Sequence, residues 1–213
     1  MRKKALLLIG LSILIVFGIG IITSVLILNV PDEPDKPNEP KLYIASDDTY
    51  YSGRDSRETV NGNKTLLVAG RYVNASGSSI HYTFIKFDLK DKPKKWDNLE
   101  VSFYVYEYLR ERDAVMYVQV LQYKYDWNET MPSYDIRWNV PQLSYDFQMK
   151  FILGLYKFNI TNHWEEIENN ESFTIIIFGY GGNSSTGYFD NHILIHSKEA
   201  NVSKAWLPQL IWS

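Results

Sequence analysis

His192 and His196 stand four residues apart in "HILIH". On a helix that spacing would let two imidazoles share a metal ion. The intervening residues are β-branched and apolar, which favours a strand, and there the rings share a face about 13 Å apart, too far for one ion. They read as ordinary polar strand positions. Asp47 and Asp48 adjoin the start of another strand candidate, where adjacent residues face opposite ways. They are candidates for a structural calcium, which would need several more oxygens from other loops. Glu165 and Glu166 resemble the carboxylate pair of a glycosidase, but in "FNITNHWEEIE" they fall at the start of a short helix. There they complement the helix dipole, with Thr161 or Asn162 as cap. "GYGGNSSTGY", residues 179–188, lacks the lysine of a phosphate cradle and reads as a long hairpin loop. Tyr180 and Tyr188 flank it, as the walls of a shallow sugar site or as two solvent-facing aromatics. No serine elbow is apparent, and the absence of cysteine excludes thiol nucleophiles and cysteine metal sites.

These side chains need a scaffold, and the chain offers three parts. Residues 5–28 are uncharged and follow Arg2, Lys3 and Lys4. A helix of that length is about 36 Å long and spans a bilayer. The preceding basic cluster places the N-terminus in the cytoplasm and the remainder outside. The run is longer than a secretory h-region, which favours an uncleaved anchor, while Gly18-Ile19-Gly20 offers a cleavage pattern. Cleavage there would free "IITSVLILNV", an apolar strand that could complete a neighbouring copy in a filament. Next comes "PDEPDKPNEP", with proline at 31, 34, 37 and 40. Three residues per turn is the polyproline II repeat, so this segment is expected to act as a semi-rigid spacer about 31 Å long.

Residues 41–213 have the length of one domain. Short stretches rich in Tyr, Phe, Val and Ile recur between turn residues, predicting an all-β, two-sheet antiparallel sandwich with one short helix. "LEVSFYVYEY" puts Leu99, Val101, Phe103 and Val105 on one face and Tyr104, Tyr106 and Tyr108 on the other. The part beyond residue 28 carries 25 acidic against 19 basic residues, net −6, with no basic patch interleaved with aromatics. Nucleic acid is therefore not an expected partner. Seven glycosylation sequons begin at Asn63, Asn74, Asn128, Asn159, Asn170, Asn183 and Asn201. The composition predicts about two by chance, so the domain is expected to carry N-linked glycan outside the cell.

Four landmarks in order resemble the DNRLRE domain, a β-sandwich family related to carbohydrate-binding modules. "DDTYY" at 47–51 is similar to its opening strand, and "FIKFDL" at 84–89 to its strand ending in Phe-Asp-Leu. "WNETMPSYDIRWN" at 127–139, followed by Pro141, resembles its Trp-x-Glu and Thr-Trp-Asn-x-x-Pro motifs. Arg137 stands in place of the Thr, and one residue fewer precedes Pro141. "FNITNHW" and "IHSKE…WLPQLIW" resemble its later turn and closing strands, with Asn159 in place of the usual Asp. The resemblance covers about residues 45–212. It implies a jelly-roll-like sandwich, export and glycan binding, with no defined ligand site. By recurring with fold position, it also implies that Trp127, Trp138 and Trp164 pack the core; for Trp127 and Trp138 the alternative is a sugar-stacking platform, since a flat indole suits a pyranose face. The function expected is a non-catalytic, membrane-anchored surface module that binds glycan or envelope components. A filament subunit and a polysaccharide-active enzyme are the alternatives.

Overall fold

The computed structural model describes residues 39–213 except 55, 76, 112–114, 122–125, 141–145, 181–182, 185–186 and 189. The apolar run and the proline-rich spacer, up to residue 38, lie outside the described residues. Residues 40–213 form a unit by themselves.

The unit is antiparallel β-sheet. Its strands are β1 (Lys41–Ile44), β2 (Asp47–Ser52), β3 (Leu66–Asn74), β4 (Gly77–Asp88), β5 (Leu99–Arg110) and β6 (Val115–Leu121). They continue with β7 (Phe147–Met149), β8 (Gly154–Asn159), β9 (Ser172–Tyr180), β12 (Asn191–His196) and β13 (Gln209–Trp212). A two-stranded hairpin, β10 (Asn183–Ser184) with β11 (Gly187–Tyr188), stands apart. Two short helices interrupt, α1 (Ser133–Trp138) and α2 (Trp164–Ile167).

Hydrogen bonding links eleven strands into one continuous sheet, and β3 carries it from one half to the other. Leu66–Arg71 of β3 pair with β12, whereas Gly70–Asn74 pair with β4. The strand turns at Gly70, where φ is +103° and a Cβ would lie 2.4 Å from the Asn191 carbonyl oxygen. Only glycine takes both the angle and the contact. One half comprises β1, β13, β5, β8 and β12; the other comprises β2, β4, β9, β6 and β7.

The inner faces of the two halves meet in one core, which is the β-sandwich-like arrangement the strand spacing predicts. Leu99, Val101, Phe103 and Val105 of β5 join Ile193 and Ile195 of β12 from one side. Ile85 and Phe87 of β4 with Phe173, Ile175 and Ile177 of β9 come from the other. The alternate residues of β4 and β9 are also buried. Tyr82, Phe84, Ile176 and Phe178 form a second cluster on the outer face of that half, closed by Leu121, Trp127 and Ile136. A near-continuous apolar run such as "FTIIIF" marks a strand covered on both sides.

The cover is "WNETMPSYDIRWN", which is not extended throughout: Ser133–Trp138 form α1. Trp127 is 1% exposed, meets Phe84 edge-on at 6.5 Å and donates from Nε1 to Thr174 Oγ1 at 2.9 Å. Ser133 ties the helix back, its N–H and hydroxyl both donating to the Thr59 carbonyl. Trp138 corrects the core expectation, for it is 61% exposed. A helix has a period of 3.6, so Ile136 faces the sheet and Trp138, two residues on, faces away. Trp164 is half-buried in a cluster of three indoles, 5.0 Å from Trp96 and 5.3 Å from Trp212. Tyr108 is a second correction. Val105 pairs with Ile195 and Glu107 with Leu194, so Tyr106 has no opposite residue. This bulge flips the remaining alternation, and Tyr108 comes to lie beside the core residue Phe151 rather than with Tyr104.

Trp127 and Trp138 therefore separate in a stability measurement. Trp127→Ala is expected to cost about 3–5 kcal/mol in urea unfolding. Trp138→Ala is expected to cost less than about 0.5 kcal/mol. Equal costs would contradict the burial difference.

Candidate functional site

The two histidines of "HILIH" end in different surroundings. His192 Nδ1 bonds Asp190 Oδ1 and its ring lies 4.9 Å from Tyr72. His196 sits among other aromatic rings at the far end of β12. Among the described residues no three metal-ligating side chains converge. Glu165 and Glu166 are both exposed on α2, and Glu166 Oε2 is 3.5 Å from His163 Nδ1. Thr161 and Asn162 cap neither short helix; Thr161 Oγ1 instead accepts from the Leu99 N–H. Tyr180 ends β9 opposite Val115, and Tyr188 pairs with Asn183 in the small hairpin. Their side chains lie outside the described residues, as do those of Asn74 and Asn183. Asn63, Asn128, Asn159 and Asn201 are exposed and Asn170 is half-buried. Asn128 Oδ1 accepts from both the N–H and the hydroxyl of Thr130, so that sequon is a closed local turn.

Asp47 and Asp48 diverge as adjacent strand residues must. Asp47 Oδ2 lies 3.4 Å from the Lys86 ammonium, and its Oδ1 accepts from the Glu129 N–H. Asp48 is fully buried and accepts from the Lys198 N–H at 2.6 Å. Lys198 Nζ in turn lies 2.6 Å from Glu129 and 2.5 Å from Glu199. Two ammonium groups thus stand among five carboxylates, Asp126 being the fifth, where calcium candidates were expected. Burial opposes the charge on each lysine, but hydrogen bonds outweigh it and raise both: to Asp126 for Lys86, to Glu129 and Glu199 for Lys198. Burial, with the charge of Glu199, pushes the Asp48 carboxyl up to about 8.

A serine–histidine contact lies at the bend of β3. Ser79 Oγ is 2.6 Å from His81 Nε2, and burial, with the charge of His192, holds the His81 ring down at about 4. The nearby carboxylate, Asp190, orients His192 instead, and among the described residues His81 Nδ1 has no partner. The groups of a nucleophilic relay are therefore divided between two histidines.

The outer face of the β5–β12 half carries the ring cluster. Tyr104 of β5 stacks on Trp206 at 4.8 Å with 22° between planes. His196 lies 6.1 Å from Trp206 at 9° and 5.8 Å from Tyr104 at 26°. Tyr106, on the same face as Tyr104 as alternation predicts, leans on His196 at 5.3 Å and is 53% exposed. Trp206 is 42% exposed, on a 3-10 turn (Lys204–Trp206) closed by the Leu207 N–H bond to the Lys204 carbonyl. Exposed Leu155 lies across from Tyr104 on β8. The three near-parallel rings form a stacked cluster in which His196 is buried at 7% exposure, and Trp206, Tyr106 and Leu155 are the members left exposed. Such a surface stacks against the apolar face of a pyranose. Alternation places Tyr104 on this face in the sequence; the bulge and the contribution of Trp206 have no local signal.

No protein-family model matches this chain, and no curated protein does.

The shifted groups predict an alkaline loss of stability. Asp48 takes up a proton on folding between its ordinary pKa of 3.8 and about 8, so its contribution falls as pH rises across that interval. His81 has the opposite sign between about 4 and 6.5, and it releases a proton on folding. The two oppose each other up to pH 6.5, above which Asp48 acts alone. Stability is expected to fall by on the order of 1–2 kcal/mol from pH 6.5 to 8. Asp48→Asn should flatten that limb in chemical denaturation; an unchanged slope would refute the assignment.

Proposed function

We propose that this chain is a non-catalytic, glycan-binding cell-surface module. Its ligand lies on Trp206 and Tyr104, with Tyr106 at the rim and the buried His196 packed against all three rings. The observation that carries this reading is the stack of Tyr104 on Trp206 on one open sheet face, with the Trp206 ring left 42% exposed. Rings recruited only for the core would turn inward, as Phe103 and Phe158 do. The jelly-roll-like sandwich implied by the DNRLRE resemblance fits this role. So do the exposed sequon asparagines and the apolar N-terminal run, which together describe an anchored, glycosylated domain lifted from the membrane by the proline-rich spacer. Glycan or a neighbouring envelope component is the partner.

Affinity electrophoresis in gels containing neutral polysaccharides tests the platform. The full chain is expected to be retarded. Trp206→Ala and Tyr104→Ala should each weaken retention about tenfold, the size of a central aromatic anchor. Tyr106→Ala should have a smaller effect. Retention that survives loss of both Trp206 and Tyr104 would remove the platform from consideration.

A further inference from the structure

We propose a second binding site, for acidic sugars, on the outer face of the other half, formed by Trp138, Tyr134, Arg57 and Arg137. It shares the glycan-binding reading of the domain but none of the residues of the first platform.

The exposed indole of Trp138 stands beside the ring of Tyr134, 5.8 Å away and inclined at 50°. Tyr134 continues inward to Tyr51 at 6.2 Å, and Tyr51 to Tyr82 at 6.2 Å, so the exposed pair is backed by packed rings. Arg137 lies 4.3 Å above the ring of Tyr82 and 5.4 Å from that of Trp138. Arg57 lies 5.3 Å from the ring of Tyr134. Ring contacts thus hold both guanidiniums beside the exposed aromatic pair without consuming their hydrogen-bond donors.

Among the described residues neither arginine has an ion-pair partner. The ion pairs of the described residues nearest in kind all use lysine or histidine, and none involves Arg57 or Arg137. Asp135, exposed on the same helix, pairs with neither. In a domain whose net charge is negative, two unpaired guanidiniums flanking an exposed tryptophan select for an anion with a flat apolar face. A uronic-acid pyranose has both: its ring face meets the indole, and its carboxylate takes the planar guanidinium fork. A peptide is disfavoured, because α1 offers no free strand edge and the two rings form a shallow surface rather than a groove.

Isothermal titration of the full chain with trigalacturonate, with a sulfated neutral trisaccharide and with an uncharged trisaccharide tests the site. Both anionic sugars should bind more tightly than the uncharged one, and added salt should weaken them. Trp138→Ala, and Arg57→Gln with Arg137→Gln, should each lower trigalacturonate affinity at least tenfold, while Trp206→Ala leaves it unchanged. Arg137 packs on Tyr82, so Arg57→Gln alone serves as the variant that keeps the packing, with at least a threefold loss expected. The proposal is overturned if the arginine variants bind as wild type does, if the uncharged sugar binds equally well, or if a polyglutamate peptide matches trigalacturonate. Loss of neutral-glycan retention in Trp206→Ala, or its absence, reports on the first platform alone.

Discussion

The ammonium group of Lys86 is the interaction on which the arrangement of this domain depends. It lies near the end of β4, buried, and donates to Asp126 Oδ1 at 2.6 Å and to the Trp127 carbonyl at 2.8 Å. Asp47 supplies a second carboxylate, and the ammonium also stands 5.9 Å from the Trp127 ring. A cation at this depth is tolerable only because three oxygens replace its water. Those oxygens come from β2 and from the approach to α1, segments far apart in the chain. Satisfying one charge therefore clamps the covering segment to the sheet.

The clamp has a consequence for every other side chain. Once Trp127 and Ile136 are drawn down, the outer face of β4 and β9 becomes a second core rather than a surface. Gly62 allows the preceding loop to lie against the covering segment, since a Cβ there would fall 2.3 Å from Glu129. Asn61 bridges the same loop, donating to the Tyr50 carbonyl at 2.9 Å and to Ser133 at 3.4 Å. The outer face of the β5–β12 half has no equivalent cover among the described residues beyond the turn that carries Trp206. The asymmetry leaves one half with a platform of rings built on strands. The other half presents only what α1 turns outward.

Both proposed sites follow from the same rule about rigidity. Aromatic rings that recognise a ligand lose little freedom on binding if the scaffold already holds them. Tyr104 is held by its strand, Trp206 by a closed turn, and Trp138 by a helix whose inner face is packed. The polar clusters beside them serve the fold instead. The carboxylates of Asp47, Glu129 and Glu199 are matched by Lys86 and Lys198.

Much of the fold was legible because strand alternation depends only on neighbours in the chain. Leu99, Val101, Phe103 and Val105 announce an inward face, and they occupy it. "HILIH" reads as a strand and is one. Trp127, expected in the core, is buried there. Where the reading failed, the cause lay outside the local sequence. Trp138 turns outward because residues 133–138 coil into a helix against the sheet. Tyr108 is reversed by one unpaired position, Tyr106, set by how β12 must register with β5. The convergence of Tyr104, His196 and Trp206 is a matter of long-range pairing. The amino-acid sequence by itself determined which residues are apolar, which alternate and where the chain can turn. Only the tertiary structure decided which aromatic rings remain in contact with solvent, because that depends on which sheet face another segment is able to cover.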